Sequence, residues 1–72
     1  MIKQFDRVRL VTSRYEGDGV PIGTIAFVVE IYGPGPNATI SHPKTGYELD
    51  FPLGSPVRGT IGVAANEVEL AD

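Results

Sequence analysis

The stretch GTIAFVVEIYGPGPNATI, residues 23–40, decides the fold, because it joins the most apolar run of the chain to a stiff loop. From Gly23 onward, β-branched and aromatic residues follow one another as they do in an extended strand. Pro34 and Pro36 then interrupt the run, and proline cannot donate a hydrogen bond to a sheet ladder. The stretch therefore predicts one long strand that ends abruptly at a Gly-Pro-Gly-Pro-Asn loop.

Strict alternation along this strand predicts its two faces. Ile25, Phe27, Val29 and Ile31 share the predicted core face, while Ala26, Val28, Glu30 and Tyr32 share the other face. The full predicted core contains Val8, Leu10, Ile25, Phe27, Val29, Ile31, Leu49, Phe51, Ile61, Val63 and Val68. Because Phe27 is placed in this core, its replacement by alanine is expected to cost about 3–5 kcal/mol.

Further short strands are predicted on either side of this stretch. DRVRLVT alternates apolar and basic residues, and a long polar loop at 14–22 follows it. The segments ATISHP and YELDF are separated by KTG, a spacing that suits a tight hairpin. TIGVAANEVEL is then predicted to form a short strand, a helical turn at AANE and a last strand. No window has helical periodicity. Residues 1–72 are therefore predicted to form one all-β domain, a small bent barrel of five or six short strands.

Composition excludes several classes of protein. The 72 residues leave room for one small core, and the absence of cysteine excludes thiol catalysis, cysteine-based zinc sites and a disulfide scaffold. The opening MIKQFDRVRL has no continuous apolar segment of a signal peptide, and no run is long enough to span a membrane. We therefore expect a cytoplasmic protein without a membrane partner.

The charge distribution leaves two interpretations of the basic first strand. The net charge of −3 argues against a general nucleic-acid binder. Residues 1–14 nevertheless carry four basic residues and one acidic residue, so the remainder carries −6. Either the first strand pairs with an acidic neighbour, or Lys3, Arg7 and Arg9 form a basic stripe for nucleic acid or another acidic surface.

No constellation of residues predicts catalysis, a metal or another cofactor. His42 is the only histidine, and a serine nucleophile needs a base that a third group orients. Glu48 and Asp50 share one strand face, where carboxylates usually meet solvent. The glycines of the first loop precede no helix that could hold a phosphate. The sequence therefore predicts a protein that is not an enzyme.

Five segments follow one another along the chain: DRVRL, a long polar loop, GTIAFVVEIY, GYELDF and TIGVAANEVEL. This order resembles the SH3-like barrels of bacteria, in particular small stand-alone DUF4926-type proteins. Those proteins share an opening like DRVRL, a GTV strand, a YEVEF-like strand and an ending close to ADxL. GVAANEVEL is also similar to the end of eukaryotic SH3 domains, where a Pro-x-Asn-Tyr-Val stretch forms a helical turn. The resemblance implies an SH3-like barrel with one helical turn before its last strand.

Departures from the SH3 pattern bear on function. The chain has no tryptophan and lacks the Ala-Leu-Tyr-Asp-Tyr opening. Ala65 and Asn66 fit the final motif, but Ala64 and Glu67 stand where its proline and tyrosine would be. We therefore do not expect polyproline recognition. Relative to the DUF4926-type pattern, ATISHPKT is an insertion that gives an extra or lengthened strand.

Three classes of function remain open. The first is a non-catalytic protein-interaction module, acting as an accessory or regulatory factor. The second is a nucleic-acid or ribosome-associated module similar to KOW domains, and the third is an accessory domain of an enzyme of the nitrile hydratase type. The second and third rest on fold analogy, which by itself does not transmit function.

If the resemblance holds, a partner binds where the 14–22 loop, the Gly-Pro-Gly-Pro-Asn loop and the AANE turn converge. The aromatic residues would give flat apolar contacts, and the prolines would form a stiff wall. The carboxylates would attract a basic group of the partner, and the asparagine would form a hydrogen bond with the partner's backbone. These residues are Tyr15, Glu16, Asp18, Tyr32, Pro34, Pro36 and Asn66. Alternatively, Glu16 and Asp18 only keep a loop soluble, and Asn66 only caps the turn.

A second copy of the chain is another predicted partner. Small sheets leave backbone groups unpaired at their edges, and a second copy can cover them. The long second strand and ATISHP are the predicted edges, with Val28 and Tyr32 supplying apolar surface. The sequence thus predicts a homodimer formed by strand edges.

Overall fold

A computed structural model of the chain describes residues 2–33, 45–57 and 59–71. In this part of the chain, five strands and two single 3₁₀-helical turns are found. The strands are β1 (Arg7–Leu10), β2 (Ile25–Tyr32), β3 (Gly46–Asp50), β4 (Ile61–Ala64) and β5 (Val68–Leu70), and the turns are Glu16–Asp18 and Ala65–Glu67. The predicted all-β class, with a helical turn directly before the last strand, is confirmed.

The strands form one antiparallel sheet in the order β4-β3-β2-β1-β5. Consecutive strands pair from β1 to β4, and β5 returns to pair with the free side of β1. β2 therefore lies at the centre of the sheet, with β4 and β5 at its edges. The expected edge position of β2 is wrong, and Val28, with 0% exposure, offers no surface to a second copy. ATISHP lies outside the described residues.

One face of the sheet covers the hydrophobic core. Its fully or largely buried apolar residues are Val8, Leu10, Tyr15, Val20, Ala26, Val28, Tyr47, Leu49, Val63 and Val68. Five of these were predicted, in β1, β3, β4 and β5, and the predicted Ile31, Phe51 and Ile61 pack against the cluster while partly buried. Alternation thus placed the core correctly in the four strands around β2.

In the first half of β2 the predicted faces are exchanged. Ala26 is 2% exposed and Val28 is fully buried, whereas Phe27 is 36% exposed. Ile25 and Val29 are half-buried rather than members of the buried cluster. The expected core position of Phe27 is therefore wrong, and the large cost expected for its replacement by alanine loses its structural basis.

A β-bulge explains why Ile31 nevertheless packs against the core. Val28 lies opposite Leu49, and Glu30 lies opposite the adjacent Glu48, so Val29 is an extra residue on β2. The extra residue reverses the alternation. Ile31 consequently returns to the core face, opposite the buried Tyr47.

Candidate functional site

The 14–22 loop and the Ala65–Glu67 turn meet at the side chain of Tyr15. The Tyr15 hydroxyl lies 2.8 Å from Glu67 Oε1, to which it donates, and 3.1 Å from the carbonyl oxygen of Gly62 in β4. Tyr15 is only 8% exposed. The expectation that Tyr15 offers an exposed, flat contact to a partner is wrong, because its ring lies in the core and its hydroxyl is engaged there.

Glu67 is the buried centre of this junction, and sequence analysis assigned it no role. Its carboxylate also accepts a hydrogen bond from the backbone N–H of Ala64 at 2.8 Å, and its Oε2 lies 3.2 Å from Arg14 Nη1. A glutamate at the third position of a helical turn commonly accepts from the backbone N–H of the residue before the turn, and this signal could have identified it. Glu67 and Tyr15 thus bind the backbone of β4 through their side chains.

Burial and charge at this junction keep Tyr15 in its protonated form. The pKa of Tyr15 lies above the ordinary value of 10.0, chiefly because burial disfavours the phenolate. The hydrogen bond to Glu67 and its negative charge raise the pKa further, while Arg14 opposes them. The guanidinium carbon of Arg14 lies 5.0 Å from the centroid of the Tyr15 ring. This arrangement stabilises the folded chain, because the buried hydroxyl has an acceptor and the glutamate has a cation beside it.

Of the other predicted contact residues, three are exposed and two lie outside the described part of the chain. Glu16, Asp18 and Asn66 are exposed on the two 3₁₀-helical turns, where their predicted binding roles stay predictions. Pro34 and Pro36 lie outside the described residues.

Tyr32 lies on the sheet face opposite to the core. Its hydroxyl donates to Glu48 Oε1 at 3.2 Å, and Glu48 alternates along β3 with the buried Tyr47 and Leu49. Thr60 donates to the other oxygen of Glu48 at 2.5 Å. Partial burial, followed by the charge and hydrogen bond of Glu48, raises the pKa of Tyr32. Tyr15 and Tyr32 therefore face opposite sides of the sheet.

We call the solvent side of β1, β2 and β3 the outer face; its centre is a row of Arg7, Phe27 and Asp50. In the strand registers, Arg7 lies opposite Phe27, and Phe27 lies opposite Asp50. The exposed aromatic ring thus stands on the central strand between a basic residue on one side and an acidic residue on the other.

Arg9 and Arg14, two of the four basic residues in the first 14 positions, have acidic side-chain partners. Arg9 Nη1 lies 2.7 Å from Glu69 Oε2 on β5, and these two residues are also opposite each other in the β1–β5 register. Arg14 pairs with Glu67. The first interpretation of the basic strand, pairing with an acidic neighbouring strand, is confirmed for Arg9. Exposed pairs of this kind contribute little stability but reduce the local positive charge.

Phe5 is an exposed aromatic residue in a backbone conformation that favours glycine. Its φ is +73° and its exposed fraction is 72%. The amide of Phe5 donates to the carbonyl of Val28 at 2.6 Å, Val28 donates back to Asp6 at 3.0 Å, and Asp6 donates to Lys3 at 3.1 Å. These bonds define a tight turn followed by a bulge, in which the residue at the Phe5 position is usually glycine.

Two further observations bear on chemistry. Among residues 2–33, 45–57 and 59–71, no three histidine, cysteine, aspartate or glutamate side chains are close enough to hold a metal ion. His42 lies outside these ranges. In the same part of the chain, no helix has the length and apolar character needed to cross a membrane.

The chain was also compared with known proteins, and no relative was found. No protein-family model matches the chain, and neither a curated protein nor a solved structure matches it. Its resemblance to DUF4926-type proteins accordingly stays a prediction.

Proposed function

We propose that this chain is a small, non-catalytic protein-interaction module, and the observation that carries the proposal is Phe5. A side chain other than glycine in the left-handed region costs about 1–2 kcal/mol. A bulky aromatic residue there is an outlier, and such outliers concentrate at functional positions. Since Phe5 is 72% exposed, little burial offsets this cost. Contact with another protein would supply the burial that the isolated chain lacks.

Other apolar side chains support the same proposal. Ile22 is 57% exposed and Leu70 is 47% exposed. Single exposed apolar residues are ordinary, but a partner that covered these side chains would remove further apolar surface from water. The cytoplasmic setting inferred from the absence of cysteine belongs to this proposal.

Binding of nucleic acid is less well supported. Arg9 and Arg14, half of the basic residues in the first 14 positions, are already paired with glutamates. Nucleic-acid affinity depends on uncompensated positive charge that can displace counterions from phosphates. An accessory role beside an enzyme is one form of the proposed function, and the identity of the captured partner would reveal it.

The test is a quantitative affinity capture from cells that express the chain, followed by mass spectrometry. Wild type is compared with Phe5→Gly, which removes the ring and the backbone strain together, and with Leu53→Ser as a control for lost apolar surface elsewhere. We expect a specific partner that wild type and Leu53→Ser retain and Phe5→Gly loses. Thermal unfolding must show Phe5→Gly to be at least as stable as wild type. Identical protein sets on all three baits would contradict the proposal.

A further inference from the structure

We propose that a second copy of this chain binds to the outer face, forming a symmetric homodimer in which Phe27 packs against Phe27 of the other copy. This inference rests on the proposed function and names one partner for it. The surface is the solvent side of β1, β2 and β3, and it differs from the strand edges that the sequence predicted.

The order of charges across the outer face makes the face complementary to itself. Arg7 on β1, Phe27 on β2 and Asp50 on β3 are consecutive in one row across the strands. The apolar side chain lies in the centre of the row, and the opposite charges lie at its two ends. Ile25, the next outward residue of β2, lies opposite Arg9 and extends the apolar strip along the same strand.

Only one orientation of two such faces brings unlike charges together. Two copies that meet face to face are related by a two-fold axis in the plane between them. An axis across the strands would place β1 over β1 and set Arg7 against Arg7. An axis along β2 places β1 of one copy over β3 of the other, so that Arg7 meets Asp50 at both ends of the row. In this orientation the two Phe27 rings meet at the centre.

The edges of the sheet are poorer sites for a second copy. At the β4 edge, the Gly62 carbonyl and the Ala64 N–H already bind the side chains of Tyr15 and Glu67. At the other edge, β5 is only three residues long. Short and covered edges resist pairing with another strand. The outer face is the larger surface that combines apolar character with complementary charge.

The geometry also predicts that the dimer is weak. Three neighbouring strands span only about 10 Å between the outer two axes. A standard interface buries about 800 Å² per partner, which would be about a sixth of the 4766 Å² surface of this chain. Glu30 of β2 is exposed and would face its own copy beyond the centre of the row, where it opposes association. We therefore expect a dimer that forms only at high protein concentration.

The first experiment is sedimentation equilibrium of the purified chain at concentrations up to about 1 mM, where weak contacts become populated. We expect wild type to show a monomer–dimer equilibrium. Phe27→Ser should weaken dimerisation at least about tenfold, as truncation of a central aromatic residue does at interfaces. Leu53→Ser, which removes an exposed apolar side chain outside the outer face, should leave the equilibrium unchanged.

Charge reversal tests the orientation without touching the aromatic ring. Arg7→Glu and Asp50→Arg each turn two attractive contacts into two repulsive ones, so each should weaken dimerisation at least about tenfold. The double variant Arg7→Glu/Asp50→Arg restores unlike charges and should dimerise like wild type. An equimolar mixture of the two single variants should also form dimers. Circular dichroism and thermal unfolding verify that every variant is folded.

If wild type is monomeric at the highest concentration, the proposed dimer is wrong. If Phe27→Ser and both charge variants dimerise as strongly as wild type, the dimer does not form through the outer face. Neither result affects the capture experiment with Phe5→Gly, so the proposed function is judged separately. If Phe27→Ser loses a captured protein while wild type stays monomeric, the outer face binds a different protein and the homodimer is wrong.

Discussion

Removing the Glu67 carboxylate should lower the free energy of unfolding substantially, because three groups depend on it. Glu67→Ala leaves the Tyr15 hydroxyl and the Ala64 N–H without the acceptor that each contacts at 2.8 Å. It also removes the partner of Arg14, which is 67% exposed. The perturbation therefore tests whether the contact between the loop and the turn, rather than the sheet alone, holds β4 in place.

The magnitude follows from these contacts. A hydrogen bond to a charged group contributes about 1.5–3 kcal/mol, and an exposed ion pair contributes about 0–1 kcal/mol. Two bonds of the first kind give a loss of about 3–6 kcal/mol for Glu67→Ala. A chain of 72 residues is expected to have a total stability of about 4–11 kcal/mol. Glu67→Gln keeps one carbonyl oxygen as an acceptor and should lose only about 1–2 kcal/mol.

Urea unfolding followed by circular dichroism measures these differences, with Arg14→Ala as the matched control. Arg14→Ala should change the free energy of unfolding by less than about 1 kcal/mol. A Glu67→Ala variant within about 1 kcal/mol of wild type would refute the reasoning. Equal losses for Glu67→Gln and Glu67→Ala would show that the negative charge, rather than packing or a single acceptor oxygen, matters at this position.

Three further predictions concern pH, the core and the outer face. The pKa of folded Tyr15 lies above 10.0. The protonated Tyr15 hydroxyl therefore contributes its full stability below pH 10, and this contribution is lost as the pH rises through the pKa of the folded state. Alkaline unfolding titrations should show a steeper loss of stability for wild type than for Tyr15→Phe. Leu49→Ala should lower the free energy of unfolding by about 2–5 kcal/mol, and Phe27→Ala should lower it by less than about 2 kcal/mol. Strict alternation would place both side chains in the core, so equal losses in urea unfolding would contradict the bulge assignment. Glu30 lies directly opposite Glu48, and like charges in this position repel each other. Glu30→Gln should therefore raise the melting temperature and strengthen the dimer. A lower melting temperature would contradict the repulsion between these carboxylates.

The sequence predicted the core best where a strand has one polar face. In β1, Val8 and Leu10 alternate with Arg7 and Arg9, so the pattern determines which side is buried. In β2 both faces are apolar up to Val29, and the pattern alone does not determine the phase. The bulge then reverses that phase within the strand, and single-residue bulges leave no mark in a run of β-branched residues.

The candidate site was less predictable, because its contacts join distant parts of the chain. Tyr15 and Glu67 are 52 residues apart, and nothing in either local segment indicates that they meet. Tyr15 was expected to contact a partner, because the resemblance to SH3-like barrels places the 14–22 loop beside a groove. A buried acceptor on the second turn instead satisfies its hydroxyl, so the ring can enter the core. The outer face emerged only when the strand registers placed Arg7, Phe27 and Asp50 in one row.

The claim that two copies of this chain associate through the outer face is tested most directly by two-dimensional NMR of the wild type in a dilution series. We predict concentration-dependent shifts of backbone amide signals from β1, β2 and β3 around Arg7, Phe27 and Asp50, with the signals of β4 and β5 unchanged. Spectra that do not change with concentration, or changes confined to the β4 and β5 edges, would contradict the account.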